Sequence, residues 1–480
     1  MDLLVKQARG SEVKARVEAL SKGDVPRQLL CKTARLALRV GAPMQAAHLL
    51  FPVVRGSAML PPSADDKEKI EYALALIRLG ARPEGMALLS KLSPKSNPEV
   101  LLFQAFGFFS GWDYAAAIPL LKEYLQSTSL SPYQCRIGQT NLAASLVHER
   151  RHQEAEGVLS SLLIDKVDEE RFLHGFVLHL ACENAIYQSK WKEAESFLKR
   201  ARECLKHSDK LMVFFLKKWQ VVLDCLRERS SPKQIAAVLE LRTEAERLKH
   251  WESIRDCDRL LALVQENQEL FLKVYFGSPY ESFRKQMLVD GAFPDKLPES
   301  YLWTPGDETG TVIDSSAGAV VGSKSGLRMG RLPHRLFSVI CGDLYRPFSI
   351  GAIHSELYPR THFDPESSPA KIHVVKTTLR AWFKNNRIPL EISSMRGFLH
   401  LKAMGPVSVR LYERQNTDRK SLLLQKIKEQ FRAQSFSARA VTNVVDLSKR
   451  SVIRLLSDAK SEGLVTEFGR GKLRRYLFAA

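Results

Sequence analysis

Through the first 275 or so residues, apolar positions recur at the three- and four-residue intervals of a helix face, in segments of helix length, with few glycines. One short pattern returns three times, as Gly111-Trp112-Asp113-Tyr114-Ala115-Ala116-Ala117-Ile118, Arg151 to Leu159, and Lys190 to Leu198. Degenerate copies begin at Pro43 and Arg82, and a later one at Trp251. Positions 43, 82, 114, 152 and 191 are separated by 39, 32, 38 and 39 residues, the range of helix-pair repeats. The small residue of each copy (Ala117, Ala155, Ala194) falls where two helices of a pair approach closely.

Gly277-Ser278-Pro279, Pro294, Pro298 and Pro305-Gly306 then break the period, so 277–308 is expected to be a linker holding at most one helix, 281–288. From Thr311 the pattern turns to short β runs at 311–313, 319–321 and 326–329, followed by expected helices at 333–341 and 350–357.

Residues 367–387 form the centre of this region. Ile372, Val375, Leu379 and Trp382 share one face, Ser367 or Ser368 can cap the start, and Pro369 is tolerated in the first turn. The opposite side offers His373, Lys376, Thr377, Arg380 and Lys384. Two β-prone runs follow at 388–392 and 397–401, with Arg396 in their turn. A helix cationic outside and apolar inside, followed at once by a hairpin, is the build of a winged helix.

After a polar connector, 404–419, a second unit of the same kind is expected at 420–480. Ser448 caps a helix over 449–461 whose inner face is Val452, Leu455, Leu456 and Ala459. A hairpin with a Gly469-Arg470-Gly471 tip completes it.

The repeated copies resemble tetratricopeptide repeats over roughly residues 30–270, in the order aromatic-x-x-Ala opening the second helix. Residues 309–403 resemble the OmpR-type effector domain of response regulators. The resemblance rests on Val312-Ile313-Asp314, Leu332-Pro333-His334-Arg335-Leu336-Phe337, Phe348 to Ile353, Thr378-Leu379-Arg380 and Arg396 to Leu399. It implies duplex DNA binding, with Lys376, Thr377, Arg380 and Lys384 near the major groove and Arg396 in the wing. His373, on the same side, is a further candidate whose alternative is simple solvent exposure. The alternative for Arg380 is an ion pair with Glu391. Thr377 and Thr378 stand where that family often has basic residues, and the helical array takes the place of the family's usual receiver domain, so aspartate phosphorylation is not implied.

The last unit resembles the bacterial winged helix-turn-helix domain. This implies Ser448, Lys449, Arg450, Ser451 and Arg454 facing a groove, and Arg470, Lys472, Arg474 and Arg475 on phosphates.

Charge adds to this picture. Residues 331–480 hold 27 Lys/Arg against 12 Asp/Glu, or +15 of the total +19, whereas the first 330 residues carry 45 − 41, only +4. The base is concentrated where a polyanion is expected to bind. Seven scattered cysteines, none in C-x-x-C spacing, argue against a zinc site or a disulfide framework. Neither a nucleotide-binding glycine loop nor a hydrolase or metalloprotease motif occurs, so no enzyme, cofactor or metal is expected. No apolar run approaches the roughly 20 residues of a membrane helix, and the first 20 residues lack a signal-peptide core, so a cytoplasmic location is the default.

The expected fold is multidomain and mainly α. A helical-hairpin solenoid (1–276) and a linker (277–308) precede two α+β winged-helix domains (309–403 and 420–480) joined by the connector 404–419. The expected function is a bacterial DNA-binding transcriptional regulator. Its partners would be double-stranded DNA and a protein or peptide on the concave face of the repeats, no membrane, with homodimerisation left open. The alternatives are a protein–protein adaptor and an RNA-binding protein.

Overall fold

The computed structural model describes residues 10–20, 22–56, 61–164, 171–206, 210–228, 231–290, 296–306, 310–323, 326–395, 397–413, 419–445, 447–469 and 471–479. Arg396 and Arg470 lie outside these residues, as do the side chains of Arg419, Leu422 and Lys472. The described chain is mainly helical, with all its strands in the C-terminal region. It divides into two compact units. One comprises the residues up to Leu297 together with Ser349–Ala370, and the other comprises Pro298–Phe348 and Lys371–Ala480.

The first unit runs through α1 (Gly10–Glu18), α2 (Leu30–Arg39), α3 (Pro43–Arg55), α4 (Asp66–Arg78), α5 (Arg82–Leu89), α6 (Glu99–Phe109), α7 (Tyr114–Tyr124) and α8 (Pro132–His148). It continues through α9 (His152–Ile164), α10 (Arg171–Tyr187), α11 (Trp191–Leu205), α12 (Lys210–Arg227), α13 (Pro232–Leu248), α14 (Trp251–Val264), α15 (Gln268–Phe276) and α16 (Glu281–Asp290). From α2 to α15, successive helices pack on one another.

The landmark residues of the sequence pattern each open a helix: Pro43, Arg82, Tyr114, His152, Trp191 and Trp251. Two residues earlier stands a residue with left-handed backbone, namely Gly41, Gly80, Trp112, Arg150, Ser189 or Lys249. In five of these turns the next amide donates to the carbonyl five residues back (Ala42 to Ala37, Asp113 to Phe108, Arg151 to Leu146, Lys190 to Ala185, His250 to Ala245). This is the Schellman closure, which satisfies a carbonyl orphaned at a helix end and turns the chain sharply. Three residues into the second helix, Ala46, Gly85, Ala117, Ala155 and Ala194 are buried. At Gly85 a Cβ would lie 2.7 Å from the Ala73 carbonyl oxygen, so the pair α4–α5 packs backbone to backbone.

After three short strands and α17 (Leu332–Cys341), all in the second unit, α18 (Ile350–Leu357) belongs to the first. The Ser349 hydroxyl donates to the Leu79 carbonyl at 2.6 Å. The Phe363 amide donates to Glu84 Oε2 at 2.7 Å, and Phe363 is fully buried in the core formed by α2 to α4, beside Tyr72 and Leu50. Gly80 and Gly351 permit this approach, since a Cβ on Gly351 would lie 2.3 Å from the Leu79 oxygen.

In the second unit, β1 (Ser300–Trp303), β2 (Thr311–Asp314), β3 (Ala319–Val320) and β7 (Val407–Tyr412) form a sheet of order β1-β7-β2-β3. β7 runs antiparallel to β1 and parallel to β2. Two expectations change here. The stretch read as a linker supplies β1, and the stretch read as a connector supplies β7, a central strand. The Gly405-Pro406 breaker masked the alternation of Val407, Val409 and Leu411, all fully buried. The expected strand at 326–329 is reduced to one bridge between Ala319 and Gly326.

β4 (Phe348–Ser349), β5 (Leu390–Met395) and β6 (Phe398–Ala403) make a second sheet of order β4-β6-β5, and α19 (Ser367–Asn385) precedes its hairpin. The C-terminal module contains α20 (Arg419–Phe431), α21 (Ala438–Thr442), α22 (Lys449–Ser461), β8 (Val465–Phe468) and β9 (Arg475–Phe478). Its core is Ile427, Phe436, Val441, Val452, Leu456 and Tyr476.

Candidate nucleic-acid interface

The start of α19 is set by Asp364. Its carboxylate accepts from the Glu366 amide at 2.8 Å, the Ser367 amide at 3.3 Å and the Ser367 hydroxyl at 2.9 Å. The cap is therefore this aspartate, not Ser367 or Ser368 as the sequence suggested, because its side chain reaches the first free amides. Ile372, Val375, Leu379 and Phe383 fill the inner face, and Phe383 meets the Phe337 ring edge-on at 5.9 Å. Trp382, expected on that face, is only half-buried.

The polar side of α19 divides into two groups. His373, Thr377 and Lys384 are exposed, and the Thr377 hydroxyl donates back to the His373 carbonyl at 3.0 Å. Lys376, in contrast, is only 7% exposed, and its ammonium donates to the Ser394 hydroxyl on β5 at 3.3 Å. Burial, and then the nearby Arg380 guanidinium, push the Lys376 pKa down. Arg380 donates to the Ile392 carbonyl and lies 4.0 Å from Glu391. These two cations tie the helix to its hairpin. The sequence offered the Arg380–Glu391 pair as an alternative, but helix position alone could not reveal that Lys376 is buried against β5. Exposed apolar groups stand on the same module: Val374 on α19, and the cross-strand pair Met395 and Phe398 at the end of the hairpin.

The C-terminal module presents its cations differently. The Ser448 hydroxyl accepts from the Ser451 amide at 3.3 Å and contacts the Ser451 hydroxyl at 3.0 Å, so both serines serve the N-cap of α22. Lys449, Arg450 and Arg454 are exposed opposite the buried stripe Val452, Leu455, Leu456 and Ala459. They stand in the first two turns of the helix, whose free amides add positive potential.

On the hairpin, Arg475 is exposed, whereas Arg474 is paired with Glu467 at 2.8 Å. The same carboxylate takes Lys460 at 2.8 Å. Lys460 first, and then Arg474, hold the Glu467 pKa below the usual carboxylate range. One of the expected phosphate grips is thus answered within the protein.

Residues 419–480 hold 14 Lys/Arg against 5 Asp/Glu, or +9. That excess, with an exposed basic helix start, gives a surface complementary to a phosphate backbone. Among the described residues no helix is long and apolar enough to cross a membrane, and no group of three His, Cys, Asp or Glu could hold a metal. No protein-family model matches the chain, and no curated protein matches its sequence significantly.

Proposed function

We propose that this chain is a cytoplasmic DNA-binding transcriptional regulator. Its tetratricopeptide-like helical unit is an interaction module, and two winged helices follow, one centred on α19 with its β5–β6 hairpin and one over residues 420–480. The observation that carries the reading is the exposed set Lys449, Arg450 and Arg454 at the start of α22, which has no ion-pair partner among the described residues. A helix whose first turns present cations, backed by an apolar stripe and followed by a basic hairpin, is suited to the major groove and its flanking phosphates.

The test is a titration of the full chain with random-sequence duplex DNA, challenged by A-form and single-stranded RNA. Preferential duplex binding that weakens with salt supports the reading. Stronger competition by RNA would move it to RNA binding.

A second reading applies to the 309–403 module. Two of its expected DNA-facing cations are engaged internally, and Val374, Met395 and Phe398 are exposed, which favours a protein contact there. If V374D/F398D leaves duplex affinity intact, that module serves as an adaptor surface. If affinity falls, it reads DNA.

A further inference from the structure

The β8–β9 hairpin is anchored at its base. Val465 and Tyr476 sit in the core of the C-terminal module with Ile427 and Phe436, and the Phe436 amide donates to the Tyr476 carbonyl at 2.9 Å. Near the far end of the strands, Glu467 takes Lys460 from α22 and Arg474 from the opposite arm, each at 2.8 Å. One carboxylate therefore braces both arms of the hairpin against the preceding helix.

The turn is closely specified as well. Gly469 and Gly471 have φ of 79° and 59°, the left-handed region that glycine enters without strain. A Cβ on Gly469 would lie 2.5 Å from the Leu473 carbonyl oxygen, so the two arms close backbone to backbone. Gly471–Leu473 is a single 3₁₀ turn.

This braced turn presents a leucine to solvent. Leu473 is 80% exposed, and Phe468, at the end of β8, is 46% exposed. Solvated turns are dominated by Gly, Pro, Asn, Asp and Ser, so an outward leucine departs from turn chemistry. Residues 468–476 also carry four Lys or Arg and no Asp or Glu. An apolar side chain set among cations fits a partner that is anionic outside and apolar within. Duplex DNA is one, since its phosphates flank a stack of bases, and an anionic lipid surface is another. The neighbouring α22 decides between them. Its apolar stripe is buried in the module core, which leaves only cations and polar groups around Ile453 on its outer face and no apolar face to lie in lipid.

We propose that Leu473 is an apolar wedge that enters between base pairs from the minor groove and bends the duplex. This deepens the DNA-binding reading and rests on it. Apolar residues used in this way partly unstack a base step and kink the helix toward the major groove. The Arg474–Glu467–Lys460 contacts then have a role, because a hairpin already ordered loses little further freedom on binding.

The test measures bending directly. The full chain is added at low salt to a short random-sequence duplex carrying donor and acceptor dyes at its two ends. Wild type should raise the energy transfer, in keeping with a kink of roughly 20–90°. L473M keeps an apolar wedge and should do the same, whereas L473A should bind and lose the rise. Wild-type binding with no rise, or an L473A variant that bends the duplex as wild type does, overturns the proposal. Vesicles containing phosphatidylserine form a second arm. Wild-type binding to them that L473A loses assigns the leucine to a lipid surface and overturns the wedge. Absence of all duplex binding removes the DNA reading and the wedge together, whereas binding without bending removes the wedge alone.

Discussion

The Ser349 hydroxyl is bonded twice, donating to the Leu79 carbonyl at 2.6 Å and accepting from the Ala352 amide at 3.2 Å. One side chain therefore caps α18 and fastens it to the turn between α4 and α5. The neighbouring Gly351 is needed for that approach, and G351A is predicted to destabilise the first unit by about 1–3 kcal/mol through overpacking. F363A should cost about 3–5 kcal/mol, the usual range for emptying a buried aromatic site. Denaturant midpoints of both variants check this, and values within error of wild type would contradict it. A fragment starting at residue 309 would keep Phe363 but lose Tyr72 and Glu84, and is predicted to bind an apolar dye.

Lys376 and Lys384 lie on one helix but should behave differently. K376A removes an ammonium seated against Ser394, so unfolding free energy should fall by about 1 kcal/mol. The salt dependence of duplex binding should stay unchanged. K384A, at an exposed position, should leave the midpoint unchanged. A K376A variant with wild-type stability and a flatter salt slope would reverse the assignment.

His179 supplies a pH dependence. The ring is 8% exposed, neither nitrogen has a hydrogen-bond partner among the described residues, and Lys218 and His148 face it alongside Phe176, Phe215 and Trp219. Burial first, and then Lys218 and His148, push its pKa down to about 3. The unfolded chain titrates near 6.5 and binds the extra proton. Stability is therefore complete above about pH 6.5 and is lost as pH falls toward 3. Between pH 7 and 5 this one group should cost about 2 kcal/mol. Unfolding free energies of wild type and H179F, compared at both pH values, should show the difference closing in the variant. A parallel pH response would contradict it.

The helical hairpins were legible because each turn repeats the same local chemistry. At Pro43, Tyr114, His152 and Trp191 an aromatic or Pro opens the second helix two residues after a left-handed turn residue, and an alanine follows three residues on. The helix 449–461 and its Ser448 cap were legible for the same reason, since cap, stripe and hairpin lie close in sequence.

Long-range relations were not legible. The return of Ser349–Ala370 to the first unit depends on a fit between Gly80 and Gly351 across some 270 residues. β7 was hidden because four of its partners belong to β1, about a hundred residues earlier. Among the site residues, Lys376 read as an exposed cation because helical spacing carries no information on where a later strand packs, whereas the approach of Arg380 to Glu391 was legible as an alternative and Arg380 stays exposed.

The central claim rests on Lys449, Arg450 and Arg454. The full chain and the K449A/R450A/R454A variant should be titrated with random-sequence duplex across a salt series starting near 50 mM. Wild type is predicted to lose affinity linearly on a log–log plot. The variant's slope should be shallower by roughly 2–3, at about 0.9 for each phosphate no longer neutralised. An unchanged slope in a folded variant, or no duplex binding by wild type at the lowest salt, would contradict the account.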